Sequence, residues 1–242
     1  MNAIETKGLT KRYGELTAVN GLELTVLQGE LFALLGVNGA GKTTTIKMLS
    51  CLTRSTEGDA LLLGKSITKE PEAVKKLLAV SPQETAVAPK LTVRENLELM
   101  AGISGADREE TKRRVREFSD KLGLGEVLNR PAGKLSGGWQ RRLSIAMALI
   151  LEPTILFLDE PTLGLDVLAR SALWDVIRAL KGNMTIILTT HYMEEAEELS
   201  DRIGVMGAGH LLQVGTAAEL EAATGTDSLE KAFIALAKEA AK

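Results

Sequence analysis

Residues 36–43 combine glycines, a lysine and a threonine at a spacing that suits phosphate binding. The segment reads GVNGAGKT and matches the pattern GxxxxGK[ST]. Glycines let the backbone take positive φ and approach phosphates closely, and successive N–H groups then form an anion nest. Lys42 would place its charge on the β- and γ-phosphates, and the Thr43 hydroxyl would hold Mg²⁺. We interpret this segment as a phosphate-binding loop.

The residues on either side of the loop supply the structural context that the motif requires. An apolar run at residues 31–35 predicts a buried strand. Ile46, Leu49 and Leu52 then recur at the spacing of one helix face. A helix that begins near Gly41 would add the positive end of its dipole at the phosphate position. This order of strand, loop and helix separates a phosphate loop from a glycine-rich turn.

A second buried strand is predicted immediately before two carboxylates. The apolar run 155–158 is typical of a strand buried on both faces of a parallel sheet, and Asp159 and Glu160 follow it. Open α/β sheets bind ligands at the carboxyl ends of their strands. Asp159 would suit Mg²⁺ through water, and Glu160 would suit an attacking water. If strand geometry continued, the two side chains would point to opposite sides.

Three weaker signals each leave two interpretations open. Ser136-Gly137-Gly138 precedes a predicted helix, and the segment is either a plain helix cap or a second anion site with uncovered amides. His191 follows a predicted buried strand at residues 185–190, and it either has a functional role, bonding a γ-phosphate or ordering a catalytic loop, or lies on the surface. Tyr13 stands in a turn-rich stretch between two predicted strands, and it either stacks on adenine or is an ordinary strand-end tyrosine.

The remaining pattern predicts a parallel core with an antiparallel sheet and a helical insert. Strands at residues 4–9 and 22–26 would form the antiparallel sheet over the loop. Residues 87–129 contain a helix opened by a capping box, Thr92 with Glu95, and a charged helix at residues 107–122. The charged face of that second helix indicates solvent exposure rather than a binding patch.

Further elements are predicted along the rest of the chain. Strands are predicted at residues 59–63 and 77–80, a helix at 166–181, an acidic helix at 194–198, a hairpin of 202–206 with 211–214, and an amphipathic helix at 228–242.

The charge, the apolar runs and the cysteine count of the chain exclude some classes of protein. The chain has 242 residues, a net charge of −3 and 25% charged residues, which argues against nucleic acid as the main partner. No apolar run has the length needed to span a bilayer, and the N-terminus lacks the apolar region of a signal peptide. The lone Cys51 excludes an internal disulfide framework and indicates a reducing compartment. We interpret Cys51 as a small core residue within the helix after the loop.

Taken together and in order, the motifs resemble those of the ATP-binding subunits of ABC transporters over nearly the whole chain. Residues 36–43 match the Walker A loop, residues 155–159 match Walker B, and LSGGW at residues 135–139 resembles the signature. Residues 163–166 match the D-loop. The match departs at Trp139, where glutamine is commonest in the family, and this puts the affinity and the dimer contact near Trp139 in question.

The resemblance implies a role for each matching residue. It implies catalytic roles for Glu160, His191, Gln83 and Lys42, with Gln83 as the Q-loop glutamine and His191 as the switch histidine. It implies that Mg²⁺ is held by Thr43, Gln83 and Asp159. It implies that ATP is bound by Tyr13, Gly36, Asn38, Gly39, Ala40, Gly41, Lys42, Thr43, Thr44, Ser136, Gly137 and Gly138.

The resemblance also implies an architecture and a set of partners. The expected fold is the α/β P-loop NTPase fold, a mixed core sheet with an antiparallel β lobe in residues 1–86 and 130–242 and a helical subdomain in residues 87–129. Two subunits, identical or paralogous, would enclose two MgATP molecules head to tail and act on a separate integral membrane permease. Neither nucleic acid binding nor direct membrane insertion is expected, and the location would be cytoplasmic, peripheral on the inner face of the cell membrane.

The subgroup and the rival classes are separate questions. Residues 81–84 with 91–97 look like the group that powers drug, lipid, polysaccharide or sodium exporters. The main alternative is a soluble ABC ATPase of an assembly system, such as iron–sulfur cluster assembly. A nucleotide-binding regulatory subunit with little turnover is a third alternative, and the presence of Glu160 and His191 argues against it.

Overall fold

Two β-sheets and the helices around them make up the described part of the chain, which is residues 1–239 of a computed structural model. The strands are β1 (Asn2–Tyr13), β2 (Leu16–Leu22), β3 (Thr25–Leu27), β4 (Leu31–Gly36), β5 (Glu57–Leu62), β6 (Lys65–Ser66), β7 (Leu78–Ser81), β8 (Ile155–Asp159), β9 (Thr185–Thr190), β10 (Arg202–Gly207) and β11 (His210–Gly215). The helices are α1 (Lys42–Leu49), α2 (Pro71–Lys75), α3 (Val93–Ile103), α4 (Arg108–Lys121), α5 (Gly137–Leu149), α6 (Val167–Leu180), α7 (Met193–Leu199), α8 (Ala217–Thr224) and α9 (Leu229–Glu239).

The core sheet brings the predicted site residues to one edge. Its strand order is β11-β10-β4-β9-β8-β7, in which β11 is antiparallel to β10 and the other five strands are parallel. Every residue of β4, β8 and β9 is buried, as expected for strands covered on both faces. Because parallel strands end at the same edge, that edge holds the phosphate loop, His191, Gln83 and Glu160, which follow strand ends, and Asp159, which is the last residue of β8.

The second sheet is the predicted antiparallel lobe. Its order is β2-β1-β5-β6, with β3 also paired to β1, and every pairing is antiparallel. Its inner face shares one apolar cluster with Phe32 of β4 and with Ile46 and Leu49 of α1. The helix that follows the phosphate loop is therefore held between the two sheets, and the mixed α/β prediction is confirmed.

The helical insert forms as its local signals predict. Thr92 and Glu95 make the reciprocal capping box at the start of α3, and the Asp107 side chain caps α4. The apolar stripe of α4 packs into the same cluster as α3 and α5. The charged face of α4 carries ion pairs at the surface of the chain, such as that of Arg113 with Glu117, in keeping with the predicted solvent exposure.

The predicted boundaries of the first strands, all in the antiparallel sheet, need correction. Strand β1 continues to Tyr13, so Tyr13 ends a strand rather than lying in a turn. The strand predicted at residues 22–26 is wrong, because β2 ends at Leu22 after Gly21 takes positive φ, and a separate short β3 begins at Thr25. These breaks depend on pairing with β1, which alternation along one segment does not reveal.

The helix after the loop is also shorter than predicted. It ends at Leu49, where the Ser50 hydroxyl donates to the Ile46 carbonyl and Cys51 takes φ of 58°. Leu52 lies beyond the helix and is 68% exposed, so it does not share the apolar face. Cys51 lies in this turn, half-buried, and burial raises the pKa of its thiol.

The last third of the chain forms as predicted, with one addition. Strand β9, helix α7 and the β10–β11 hairpin are confirmed, whereas α8 was not predicted. The predicted helix 228–242 is observed as α9 to Glu239, and residues 240–242 lie outside the described residues. Among residues 1–239, no helix is both long enough and apolar enough to cross a bilayer.

Candidate functional site

The predicted phosphate loop lines a cavity of about 400 Å³ at the carboxyl edge of the core sheet. Gly39 and Gly41 take φ of 84° and 104°, and a Cβ on Gly41 would lie 2.6 Å from the Ala18 carbonyl oxygen. A Cβ on Gly36 would lie 2.7 Å from the Met206 carbonyl oxygen. The loop therefore needs glycine for backbone conformation at two positions and for close packing at Gly36 and Gly41.

Lys42 is held inside the loop by the loop's own backbone. Its Nζ atom donates to the carbonyl oxygens of Gly36 and Val37 at 2.7 and 3.2 Å. It also pairs with Glu160 Oε1 at 3.1 Å, and both side chains are about 5% exposed. The ammonium group is thus fixed at the mouth of an anion nest, where a phosphate would need it.

The hydroxyl of Thr43 meets the first predicted carboxylate. Thr43 Oγ1 donates to Asp159 Oδ1 at 3.1 Å, and Thr189 Oγ1 donates to the same oxygen at 2.5 Å. A hydroxyl and a carboxylate oxygen beside a phosphate nest form a donor set that fits Mg²⁺, which prefers oxygen ligands. In residues 1–239 no cluster of three or more His, Cys, Asp or Glu side chains could hold a metal. A magnesium ion here would therefore share its coordination between these oxygens, phosphate and water.

The second carboxylate does not follow the geometry of a continuing strand. Glu160 takes φ of 49°, so the alternation of β8 ends at Asp159. The Glu160 amide is held by the carbonyl and the hydroxyl of Thr189, at 3.1 and 3.0 Å. Glu160 Oε2 lies 2.6 Å from His191 Nδ1, while Oε1 faces Lys42. Both carboxylates therefore turn toward the loop, and the condition for opposite orientations does not hold.

Most of the predicted nucleotide-site residues meet in this one cavity. Tyr13, Gln83 and Glu160 line it together with residues 38–44 of the loop. Asp159 and His191 contact its lining residues through the bonds described above. Gly36 contributes the carbonyl oxygen that accepts from Lys42.

The segment Ser136-Gly137-Gly138 lies apart from that cavity. Ser136 and Gly138 line a different depression of about 170 Å³, together with Trp139, Arg142 and Ala169. Ser136 occupies the N-cap position of α5, but its side chain makes no capping hydrogen bond. The predicted cap is therefore positional only, and the first-turn amides of α5 are left without a side-chain acceptor from Ser136.

Two residues at the site were missed as site residues by reasoning from the sequence. Thr189 bonds both Asp159 and the amide of Glu160, and Arg141 bonds the carbonyl of Glu160. The polar pair Thr189-Thr190, directly after the apolar run 186–188, was an available signal for the first residue. No comparable signal marked Arg141, because its acceptors are backbone atoms far along the chain.

If the site binds MgATP as the resemblance implies, we expect Thr189→Val to raise the Mg²⁺ concentration for half-maximal hydrolysis by about 10-fold, because the residue that orients the Asp159 carboxylate is lost. The measurement is hydrolysis against Mg²⁺ at fixed ATP. Thr185→Val is the matched control, since Thr185 is buried at the other end of β9 and accepts a hydrogen bond from the Gly29 amide. An unchanged Mg²⁺ dependence in Thr189→Val would remove Thr189 from this role.

Comparison with known proteins agrees with this arrangement. A profile of the family described as "ABC transporter" matches residues 19–163. The chain is 42% identical to the daunorubicin/doxorubicin resistance ATP-binding protein DrrA of Streptomyces peucetius, over 94% of this chain and 69% of that protein. It is 38% identical to the linearmycin resistance ATP-binding protein LnrL of Bacillus subtilis, over 93% of this chain and 73% of that protein.

Solved structures with the same fold include an ATP-binding subunit of an ABC transporter, with a TM-score of 0.85 and 30% identity over 97% of this chain and 99% of that one. A dimeric post-hydrolysis state of an ATP-binding cassette with bound ADP and Pi has a TM-score of 0.79 and 26% identity, over 88% of this chain and 98% of that one. Fold and site together define a P-loop nucleotide hydrolase. The chain belongs to the ABC transporter family as an ATP-binding domain, and it is an ATPase.

Proposed function

We propose that this chain is the ATP-binding subunit of an exporter and hydrolyses MgATP in a head-to-tail dimer to drive transport through a separate integral membrane permease. The observation that carries the hydrolytic part is Glu160, whose carboxylate lies between Lys42 and His191 at the phosphate loop. Export is supported by DrrA and LnrL, which are named as resistance ATP-binding proteins and match over most of both chains.

The side chains around the loop divide the work of hydrolysis. Lys42 and the loop amides bind the β- and γ-phosphates and neutralise charge as it develops. Glu160 accepts a proton from the attacking water, and His191 holds the Glu160 carboxylate and orders this side of the site. Mg²⁺, which neutralises phosphate charge when bound, would be held by Thr43, Asp159 and Gln83.

Tyr13 is the residue that would contact the adenine base. This ring is 48% exposed, lines the cavity at the end of β1, and has the Lys11 ammonium 4.9 Å from its centroid. An exposed aromatic ring at that place can stack on a base, since every base offers a π-face.

In the proposed dimer, Ser136, Gly137 and Gly138 of one chain would bind the γ-phosphate held by the other chain. The depression lined by Ser136 and Gly138 is separate from the loop cavity within one chain, which supports a γ-phosphate held by a second chain as its ligand. Val167 and Leu168, at the start of α6 after the D-loop, are exposed apolar side chains that a partner subunit would cover. The partner is either an identical chain or a paralogue.

We expect Glu160→Gln with MgATP to show a doubled mass in light scattering, because slowed hydrolysis lets the closed dimer accumulate. The same protein without Mg²⁺ should stay at the mass of one chain, since phosphate charge would then be poorly neutralised. A single-chain mass with saturating MgATP at high protein concentration would contradict a homodimer and leave a paralogous partner.

The proposed cellular location of the chain follows from its proposed binding to a membrane permease. The chain would sit on the cytoplasmic face of the cell membrane, bound to the permease rather than inserted in the bilayer. Residues 87–129, with α3 and α4, would form a helical subdomain, while residues 1–86 and 130–242 form the catalytic unit. Movement at Gln83, which joins β7 to this insert, would pass the nucleotide state to the permease.

The test of the transport role is recovery of the tagged chain from detergent-solubilised membranes of its own host, with identification of the bound proteins. A polytopic membrane protein in stoichiometric amount is the expected result. Recovery only with soluble proteins would overturn the transport role and favour an assembly ATPase, while leaving the ATP chemistry in place.

A further inference from the structure

The guanidinium group of Arg141 donates to three backbone carbonyl oxygens in two loops of the site. Its Nη1 atom donates to the Pro82 carbonyl oxygen at 2.6 Å, and its Nη2 atom donates to the carbonyl oxygens of Gln83 and Glu160, both at 2.8 Å. Arg141 is 3% exposed, so these bonds form away from bulk water. Buried hydrogen bonds from a charged donor contribute more to stability than neutral ones.

The three carbonyls belong to two loops that lie far apart in the sequence. Pro82 and Gln83 follow strand β7, and Glu160 follows strand β8. Arg141 itself is on α5, about one turn after Ser136-Gly137-Gly138. A second link between the same helix and β7 is the buried hydroxyl pair of Ser81 and Ser144, 3.1 Å apart. Helix α5 is thus fastened to the segments that carry Gln83 and Glu160.

The planar fork of the arginine explains why this residue type suits the position. Two nitrogen atoms in a fixed plane reach carbonyls of both loops at once, which a lysine ammonium on a flexible stem does not reproduce. Burial lowers the pKa of Arg141, whereas the nearby Asp159, Glu195 and Glu160 carboxylates raise it. Loss of the arginine would change both the positions of the two loops and the charge near Glu160. The experiments below separate these two effects.

We infer that Arg141 is a positioning residue that fixes the Gln83 loop and the backbone of Glu160 to helix α5. The start of that helix, Ser136 to Gly138, and the proposed general base Glu160 then move as one unit. This inference rests on the proposed function, in which Ser136–Gly138 serve the partner's nucleotide and Glu160 serves the chain's own. Arg141 would thereby connect the two nucleotide sites of a dimer within one chain.

The kinetic test compares Arg141→Lys and Arg141→Met with the wild-type chain. Both variants should lower kcat about 10- to 100-fold, the range expected when a reacting group is displaced slightly. Affinity for a fluorescent ATP analogue should stay within about two-fold, because Lys42 and the loop are untouched. Arg114→Lys and Arg114→Met are the matched controls, since Arg114 is also poorly exposed and donates to a backbone carbonyl, that of Ile150. Those controls should keep kcat.

The pH profile separates geometry from charge. If Arg141 acts by geometry, both variants are slow at every pH and the acidic limb of the kcat profile does not move. If Arg141→Lys is as fast as wild type and only Arg141→Met is slow, with its acidic limb shifted to higher pH, the residue acts by charge and the positioning role is overturned.

Amide hydrogen exchange tests the anchoring without any assumption about catalysis. In Arg141→Met, exchange should accelerate at residues 81–84 and 160–163 and stay unchanged at residues 36–43. Exchange that accelerates evenly over the chain, or that does not change at either loop, overturns the inference. If Glu160→Gln keeps full turnover, the proposed role of Glu160 fails, whereas the exchange result still decides whether Arg141 anchors both loops.

Discussion

Glu160→Gln is expected to lower the rate of MgATP hydrolysis by about 10²-fold or more while ATP binding persists, the usual scale for loss of a positioned general base. The physical reason is the surroundings of the carboxylate. Its two oxygens face Lys42 at 3.1 Å and His191 at 2.6 Å, and the side chain is almost fully buried. Glutamine keeps the shape but cannot take a proton from water. The binding atoms of the loop are unchanged, so nucleotide affinity should survive.

The measurements are steady-state phosphate release and nucleotide binding on the same preparation. Glu152→Gln is a matched control, because Glu152 also has positive φ but its exposed carboxylate forms ion pairs with the exposed Arg113 and the poorly exposed Arg114. Exposed ion pairs contribute at most about 1 kcal/mol, so this variant should turn over normally. Near-normal turnover in Glu160→Gln would remove Glu160 from its proposed role.

Lys42→Ala is expected to abolish ATP binding or turnover. The substitution removes the one full positive charge that the loop's own carbonyls hold at the nest, and it leaves the buried Glu160 carboxylate without its cation. The nucleotide phosphates would then meet uncompensated negative charge at the mouth of the loop.

Fluorescence titration with an ATP analogue and the hydrolysis rate together check this result. Lys47→Ala is the control, because Lys47 lies on the same helix α1 but is exposed. Thermal unfolding of both variants shows whether the chain still folds. An unchanged ATPase rate in Lys42→Ala would refute the assignment of the nucleotide site itself.

The two predictions separate the residues that bind the nucleotide from the residue that acts in the hydrolysis step. Lys42→Ala tests whether the glycine loop is the place where phosphate binds, and Glu160→Gln tests what happens after binding. A chain that loses activity in both variants but keeps binding only in Glu160→Gln behaves as a hydrolase with one phosphate nest and one base. Loss of binding in both would place Glu160 among the binding groups instead.

Local signals were enough to predict the parts of the site that each lie within one short segment. The glycine loop and β4 were predictable because φ requirements, buried apolar runs and helix starts are properties of neighbouring residues. The capping box of Thr92 and Glu95 formed for the same reason. Strand β9 was predicted with its observed bounds, because its β-branched and apolar residues lie between a glycine turn and His191, which mark the two ends of the strand. The resemblance of the motifs, taken in order, then indicated the family that the comparisons confirm.

Local sequence patterns thus indicated which chemical groups stand at each strand end, whereas the pairing and packing of distant segments set how those ends meet. Pairing places β9 between β4 and β8, which brings Thr189 against Asp159 and His191 against Glu160. The Glu160 amide donates to Thr189, and Arg141 donates to the Glu160 carbonyl oxygen; these bonds hold Glu160 in a left-handed conformation that strand alternation did not predict. These contacts join residues separated by 19 to 31 positions, and no periodicity along one segment records them.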